Sequence, residues 1–305
     1  RKAVQSAAQT IQRPPCLAVV LVEGKGQSES FVRAKQAAAR SCDIEFVLHR
    51  LASDSTQEDV LAAVDYFNRA EYVDGIITQL PLPASMNAMD VIQCIDPEKD
   101  VDGLHPHNVG AFTYTPDDAF CPCTALGIRV LLDQNGIATR GKHVVVVGRS
   151  AIAGRPVAAM FNHGDATTTL CHRYTTDLAS LTRQGDILVC AAGVPKLITP
   201  RHVRQGAVVI DVGINVLKQR EAGKGALLVG DVDPKVADVA SALTPVPGGV
   251  GPMTVVGLLL NTFRSYTNRH GLPSGALLSP MYSLRPGGPI RRLQDQPPET
   301  GDGDG

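Results

Sequence analysis

Apolar positions along the chain follow two alternating patterns from residue 16 onward. Three short apolar runs predict strands: CLAVVLV (16–22), which has the composition of a buried strand, IEFVLHRL (44–51) and DGIITQL (74–80). Between them, residues 28–41 and 56–70 repeat apolar side chains at helical spacing. Thr56 or Ser55 is placed to cap the second of these helices. The alternation predicts βαβ units around a parallel sheet, with active groups at the carboxyl ends of its strands.

The same alternation restarts after a stretch rich in turn residues, 96–124, in which Pro, Gly, Asp and Asn predict turns rather than regular elements. A helix over 124–135 then leads into four strand candidates: KHVVVVG (142–148), ATTTLCH (166–172), DILVCAAG (186–193) and AVVIDVGIN (207–215). The predicted class is therefore α/β, with two domains built from βαβ units, the second of Rossmann type. The segment 271–305 is rich in Pro and Gly without periodicity, and we predict a flexible tail there.

Charge and length limit the range of functions. The 29 Lys and Arg residues nearly balance 30 Asp and Glu residues, so no net field attracts nucleic acid or an anionic membrane. No apolar run approaches the roughly 20 residues that a transmembrane helix needs. A chain of 305 residues is long enough for two domains at about 150 residues each. Because the positive and negative charges nearly balance, an anionic ligand would be held by basic groups close to its site.

The seven cysteines indicate a reducing compartment. They are odd in number and lie in apolar runs, as buried thiols do, which favours the cytoplasm. Cys121 and Cys123 form a C-x-C pair, a weak metal signal, so a packed loop is favoured and no metal is predicted. Residues 1–13 contain no acid, as in mitochondrial transit peptides, so a mitochondrial location is the alternative. An ordinary helix is favoured there because two prolines and a strand follow.

One strand-to-helix turn has the context of a dinucleotide site. In VVVVGRSAIAGRP a strand ends at Gly148, and Gly154 and Pro156 mark the start of a helix, where backbone N–H groups can meet a phosphate. The spacing departs from G-x-G-x-x-G, so a tight turn without a ligand explains it equally well.

The end of the next strand bears on the choice of cofactor. NAD sites usually place an acidic residue there for the ribose 2′-hydroxyl, whereas NADP sites place arginine near the 2′-phosphate. Here the strand ends in His172 and Arg173, with no acid before Asp177, and Arg149 offers a second guanidinium. Two surface arginines without a ligand are the alternative, and we expect NADP rather than NAD.

Three further stretches combine Gly and Pro density with positions that follow strands: TQLPLP (78–83), PEKDVDGLHPHNVG (97–110) and TPVPGGVGPMT (244–254). Together they resemble the methylenetetrahydrofolate dehydrogenase/cyclohydrolase family, and the likeness extends over residues 14–270. The resemblance implies a folate-binding catalytic domain, 1–123, completed by a helix at 252–270. It also implies an NADP-binding Rossmann domain, 124–251, a cleft between the domains, and a homodimer.

The resemblance implies two reactions on tetrahydrofolate derivatives. The first oxidises 5,10-methylenetetrahydrofolate with NADP⁺ to the methenyl form, and the second hydrolyses that product to 10-formyltetrahydrofolate. Two alternatives stay open: a dehydrogenase with weak cyclohydrolase activity, and a folate- and nucleotide-binding protein without turnover. The intact Lys35, Gln79 and Asp102 argue against the last of these.

Site residues follow from the resemblance position by position. Lys35, which helical periodicity alone would place as a solvated charge, falls on the catalytic lysine. Gln79 matches the glutamine that hydrogen-bonds it, and Asp102 matches the aspartate that binds the pterin edge. The implied folate pocket also includes Phe31, Leu80, Pro247 and Gly248. The implied cofactor contacts are Thr124, Gly148, Arg149, Ser150, Ile152, His172, Arg173, Ile214 and Thr254.

Three positions depart from the family pattern. Phe31 replaces a tyrosine, so the hydroxyl that neighbours the lysine is missing while the ring remains. Glu23 stands where the family commonly has glycine, and PCTA replaces PCTP at 122–125. The first departure puts the strength of the cyclohydrolase activity in doubt.

Overall fold

The computed structural model describes residues 1–24, 27–115, 119–217, 227–272 and 291–292. These residues form two units. The first contains Arg1–Val130 and the described residues 253–272, and the second contains Leu131–Pro252 together with residues 291–292. The tail predicted to be flexible falls almost wholly outside the described residues. Within them, no helix is both long and apolar enough to cross a membrane.

The first unit is built on a parallel sheet with the strand order β2-β1-β3. Every residue of the central strand is buried, because helices cover both faces of the sheet, and this produces its unbroken apolar run. Its elements in chain order are α1 (Lys2–Ile11), β1 (Cys16–Val22), α2 (Gln27–Ser41), β2 (Glu45–Leu51), α3 (Gln57–Arg69), β3 (Gly75–Thr78), α4 (Ala88–Cys94), α5 (Pro106–Tyr114) and α6 (Cys123–Gln134).

Alternate residues of β1 enter two separate cores. Leu17, Val19 and Leu21 pack with residues of α2 and of the last helix. On the opposite face, Ala18 and Val20 pack with residues of α3 and α4. The sheet is therefore a layer between two apolar clusters, as expected for βαβ units.

The capping of α3 and the helix α5 show where local sequence signals succeeded and failed. Thr56, not Ser55, caps α3: its hydroxyl accepts from the backbone N of Asp59, and the Asp59 carboxylate accepts from Thr56 N.

The prediction of turns throughout 96–124 was wrong at α5. There Pro106 occupies the first turn, and the side chain of His105 accepts from the backbone N of His107. These two features start a helix whose Pro, Asn and Gly content obscured its periodicity.

The second unit contains the predicted parallel sheet. Its strand order is β11-β10-β7-β6-β4-β5; within this sheet the pairing of β10 with β11 is antiparallel, and the other described pairings are parallel. A separate antiparallel pair, β8 with β9, was not predicted. The elements are β4 (His143–Val147), α7 (Gly154–His163), β5 (Thr167–Cys171), α8 (Leu178–Thr182), β6 (Ile187–Cys190), β7 (Val208–Asp211), β8 (Asn215–Leu217), β9 (Leu227–Val229), β10 (Ala242–Leu243) and β11 (Arg291–Arg292). The last helix, α9 (Val250–Arg269), belongs to the first unit from Met253 onward. The order confirms the predicted α/β class with a Rossmann-type unit.

A buried ammonium closes the end of α3. Lys99 is 3% exposed, and its Nζ donates to the carbonyl oxygens of Phe67 (3.0 Å), Asn68 (2.7 Å) and Ala70 (2.8 Å). These carbonyls lie at the C-terminal end of the helix, where the helix dipole is negative and the last carbonyls lack the N–H partners of the helix interior. Phe67 O and Ala70 O also accept from the backbone N of Ala70 (3.3 Å) and of Val73 (3.1 Å), respectively. Burial lowers the pKa of Lys99, and the three carbonyl acceptors satisfy the donors of the ammonium.

We predict that Lys99→Met destabilises the protein by about 2–4 kcal/mol, because it leaves the three buried carbonyls without their charged donor. The free energy of unfolding, measured by urea denaturation, tests this prediction. Lys142→Met is the matched control, because Lys142 is exposed. Equal stability of the two variants would contradict the role assigned to Lys99.

Candidate functional site

Lys35 and Gln79 meet at the carboxyl end of β3. The half-buried Lys35, on α2, directs its Nζ to the Oε1 of Gln79 at 2.8 Å. Gln79 is buried, its backbone N donates to Val20 O at 2.8 Å, and its Nε2 donates to Leu80 O at 2.6 Å. The second bond fixes the amide orientation, so that the oxygen of Gln79 faces the lysine.

The surroundings of Lys35 favour the neutral amine more than water would. Burial lowers the pKa of Lys35, and the charge of Asp102 acts in the opposite direction. Cys123 lies in the same neighbourhood. Burial, followed by the charge of Asp102, raises the pKa of the Cys123 thiol well above its usual range. The thiol donates to Val101 O at 3.1 Å. The cluster therefore holds a lysine with a lowered pKa, a carboxylate and a thiol that stays protonated.

A second carboxylate supports the turn that carries Asp102. Asp100 is buried, and its Oδ2 accepts from His105 N (2.8 Å) and from Asn108 Nδ2 (2.9 Å). Burial raises the pKa of Asp100 to about 6. The sequence analysis identified Asp102 but not Asp100. The sequence signal for Asp100 was its place in the D-V-D motif, two residues before Asp102. Asp100 forms a β-bridge with Ile76 and therefore stands at the edge of the sheet.

The remaining predicted folate residues are divided between the units. Phe31, which is 37% exposed, lies one helical turn before Lys35, and Leu80 follows Gln79 directly. Pro247 and Gly248 lie in the second unit, after β10, where Gly248 has φ +106°. The structure thus brings Phe31 and Leu80 to the Lys35 cluster within one unit.

A pocket of about 510 Å³ lies in the second unit, beside the ends of β4, β5 and β6. Five of the predicted cofactor residues line it, and seven further residues, which the sequence analysis missed, line it as well. The predicted ones are Gly148, Arg149, Ser150, His172 and Arg173, and the missed ones are Val147, Thr175, Leu178, Ala191, Ala192, Val194 and Leu197. For Ala191 and Ala192 the available signal was CAAG (190–193), a run of small residues at the end of a buried strand.

Two glycines make the wall of this pocket possible. Gly148 has φ +115°, and a Cβ there would lie 2.0 Å from Ala191 O. A Cβ on Gly154 would lie 1.9 Å from Gly148 O. Both positions therefore need glycine for close backbone approach, and Gly148 needs it for its conformation as well. Within the turn, Ser150 Oγ accepts from the N of Ala153 (3.2 Å) and of Gly154 (3.4 Å).

Both predicted guanidiniums are available at the rim of the pocket. Arg149 and Arg173 are exposed, and neither forms an ion pair with a residue that the structure describes. The Arg173 guanidinium lies 4.7 Å from the centre of the Tyr174 ring, a cation–π contact. The site therefore presents two free positive charges beside a half-enclosed pocket, as an anionic group requires.

Four predicted cofactor residues lie outside the lining of this pocket. Ile152 and Ile214 are 47% and 43% exposed, respectively. Thr124 and Thr254 belong to the first unit. Their helices, α6 and α9, approach closely, since a Cβ on Gly127 would lie 2.9 Å from Thr254 N. Across the described residues, no group of three or more His, Cys, Asp or Glu side chains could hold a metal ion.

Comparisons with known proteins cover the same residues. A family model described as Tetrahydrofolate dehydrogenase/cyclohydrolase, catalytic domain, matches residues 1–102. A second model, Tetrahydrofolate dehydrogenase/cyclohydrolase, NAD(P)-binding domain, matches residues 122–270. The curated Bifunctional protein FolD of Protochlamydia amoebophila is 43% identical over 269 residues, which is 87% of this chain and 92% of that protein.

Two solved structures are similar along most of their length. The bifunctional FolD enzyme of Campylobacter jejuni, a methylenetetrahydrofolate dehydrogenase/cyclohydrolase, is 41% identical with a TM-score of 0.81, over 88% of this chain and 93% of that one. The Trypanosoma brucei FolD, complexed with NADP cofactor and inhibitor, is 38% identical with a TM-score of 0.83, over 88% and 92%.

Proposed function

Because the chain belongs to the tetrahydrofolate dehydrogenase/cyclohydrolase family, we propose that it oxidises 5,10-methylenetetrahydrofolate with NADP⁺ and hydrolyses the methenyl product to 10-formyltetrahydrofolate. The observation that carries this proposal is the 2.8 Å hydrogen bond between Lys35 and Gln79 in the folate unit. A lysine with a lowered pKa, held at a fixed position, has the properties of an acid–base group.

NADP⁺, when bound, accepts the hydride that leaves the methylene carbon. Lys35 then acts in the hydrolysis of the methenyl cation. Its neutral amine takes a proton from the attacking water as the C–O bond forms. The resulting ammonium returns a proton to N5 as the C–N5 bond breaks, and the hydroxyl proton of the adduct is lost to form the formyl group. One proton is released overall, which balances the charge of the cation.

Other residues bind and orient the substrates. Asp102 accepts two hydrogen bonds from the amino-pyrimidine edge of the pterin, a charge-assisted contact. Phe31 and Leu80, which belong to the same unit as Lys35, form apolar and backbone contacts with the folate. Arg149 and Arg173, exposed at the rim of the 510 Å³ pocket, bind the 2′-phosphate of NADP. This favours NADP over NAD.

A second copy of this chain is the proposed partner. The strands β8 and β9 expose apolar side chains, which a homodimer would cover. The exposed set is Val216, Leu217, Leu227 and Leu228. All seven cysteines are free thiols, which supports a reducing compartment, and we favour the cytoplasm.

One departure from the family supports a weaker form of the second reaction. Phe31 places a ring without a hydroxyl one turn before Lys35, so the amine lacks one neighbour that could orient it. A dehydrogenase with weak cyclohydrolase activity is therefore the alternative, and the ratio of the two rates distinguishes them.

Lys35→Met tests the proposed function. It keeps the unbranched stem and the helix propensity but removes the amine, so we expect hydrolysis of the methenyl substrate to fall about 10²–10⁴-fold. Hydride transfer, which needs the lysine only for placement, should fall less. Both rates are measured spectrophotometrically on the same preparation. Arg40→Met, an exposed change at the far end of α2, is the control. A variant that hydrolyses like wild type would refute the role of Lys35.

Gln79→Glu gives a pH-dependent prediction with a definite sign. A carboxylate at the position of Oε1 would stabilise the ammonium and raise the pKa of Lys35. Because the neutral amine is the base, the ascending limb of the pH profile for hydrolysis should move to higher pH. Gln79→Met removes the acceptor without adding charge, so its limb should not move upward. A Glu variant whose limb stays in place, or moves to lower pH, would contradict the proposed use of the neutral amine.

Arg173→Ala should weaken NADP⁺ far more than NAD⁺, because only NADP⁺ carries the 2′-phosphate. Loss of a charge-assisted contact corresponds to about a tenfold to hundredfold change in affinity. Dissociation constants for the two cofactors give the comparison. Arg201→Ala, an exposed arginine outside the pocket lining, is the control. Equal losses for both cofactors would exclude a contact with the 2′-phosphate.

A further inference from the structure

Two buried carboxylates lie behind the wall of the nucleotide pocket. Asp231 is 0% exposed and Asp211 is 4% exposed, and neither forms an ion pair with a residue in the described part of the chain. Burying a carboxylate without a cation is costly unless hydrogen bonds to the charged form compensate. Their contacts therefore indicate what these charges hold in place.

Asp231 holds the loop that follows β6. Its Oδ2 accepts from the backbone N of Ala192 (2.7 Å) and of Gly193 (2.8 Å), and its Oδ1 accepts from Asn215 Nδ2 (2.8 Å). Ala192 lines the nucleotide pocket, as do its neighbours Ala191 and Val194. The carboxylate thus fixes the backbone of one pocket wall from behind.

Asp211 holds Asp231 in turn. Its Oδ1 accepts from the backbone N of Asp231 and of Gly213, both at 3.0 Å, and its Oδ2 accepts from Val232 N at 3.0 Å. Glycines leave room for both carboxylates. A Cβ on Gly213 would lie 2.3 Å from Asp231 Oδ1, and one on Gly230 would lie 1.7 Å from Asp211 Oδ2.

The loop after β6 is thereby held from two sides. On the pocket side, the glycine at 148 lets Ala191 O approach the turn before α7. On the other side, the two N–H groups that follow are bound by one carboxylate oxygen. We infer that Asp231 is a positioning residue for NADP: it fixes the wall formed by residues 191–194 without touching the cofactor. This inference rests on the proposed function of the pocket.

The test compares Asp231→Ala, Asp231→Asn and the control Asp233→Ala. Asp233 lies two residues further on, and its carboxylate caps a short 3₁₀ helix by accepting from Lys235 N at 2.9 Å. NADPH affinity is measured by fluorescence titration. Initial rates give the KM for NADP⁺ and the KM for methylenetetrahydrofolate, and the melting temperature gives the stability. Wild type and each variant are compared as the same 305-residue chain.

We expect Asp231→Ala to weaken NADPH binding by about tenfold or more, since two N–H groups of the wall lose a charged acceptor. KM for NADP⁺ should rise in parallel, whereas KM for the folate should stay within about twofold of wild type. Asp231→Asn keeps one oxygen for the two N–H groups, so it should recover part of the affinity. Asp233→Ala should leave the affinity unchanged, even if it melts earlier.

Two results would overturn the inference in distinguishable ways. If both Asp231 variants melt earlier but bind NADPH like wild type, Asp231 has only a structural role. The Asn variant keeps this comparison informative if the Ala variant does not fold. If wild-type protein itself does not bind NADPH, the proposed function of the pocket fails and the inference fails with it.

Discussion

Polar groups buried at the carboxyl ends of parallel strands must find their partners inside the protein, and both described sites follow from this constraint. Helices cover the sheet faces, so water reaches little of these strand ends. Gln79 follows β3 and binds Lys35, whereas Asp211 ends β7 and binds three backbone N–H groups. Each polar group thereby gains a fixed orientation, which a solvated side chain would not have.

The same constraint has a thermodynamic consequence for the buried acids. Burial raises the pKa of Asp100 and of Asp211 to about 6. Unfolded aspartates titrate near 3.9, so the folded state binds the protons more tightly. Raising the pH from about 4 to about 6 therefore lowers the contribution of each group to stability, and that loss persists at neutral pH. Because these carboxylates oppose folding at neutral pH, their positions are explained by the loops they hold rather than by stability.

Sequence patterns predicted the elements whose residues are buried, and they missed the residues whose role depends on individual hydrogen bonds. Buried strands such as β1 were predictable because strands covered on both faces become continuous apolar runs. The parallel strand β10 was not predicted, because two residues are too few to form such a run. The strands β8 and β9 were not predicted, because each has only three described residues, too few to show an alternation of apolar and polar side chains. Asp231 was not predicted because its partners include backbone N–H groups up to 39 residues away, and the sequence does not show which backbone donors a side chain will meet. Lys35 emerged only from the family resemblance, since helical periodicity assigns it to a surface.

Lys35 and Lys99 show why a lowered pKa alone does not identify an acid–base group. Burial is the main cause of the shift in both lysines. Lys99 donates to three carbonyl oxygens, so every N–H of its ammonium is used and no lone pair is available for chemistry. Lys35 Nζ donates to one neutral acceptor, Gln79 Oε1, among the described residues. The other hydrogen-bonding positions of Lys35 Nζ have no partner among the described residues, so they are available to water and substrate. The distinction between a structural and a chemically useful lysine therefore lies in the number of occupied hydrogen bonds, with burial common to both.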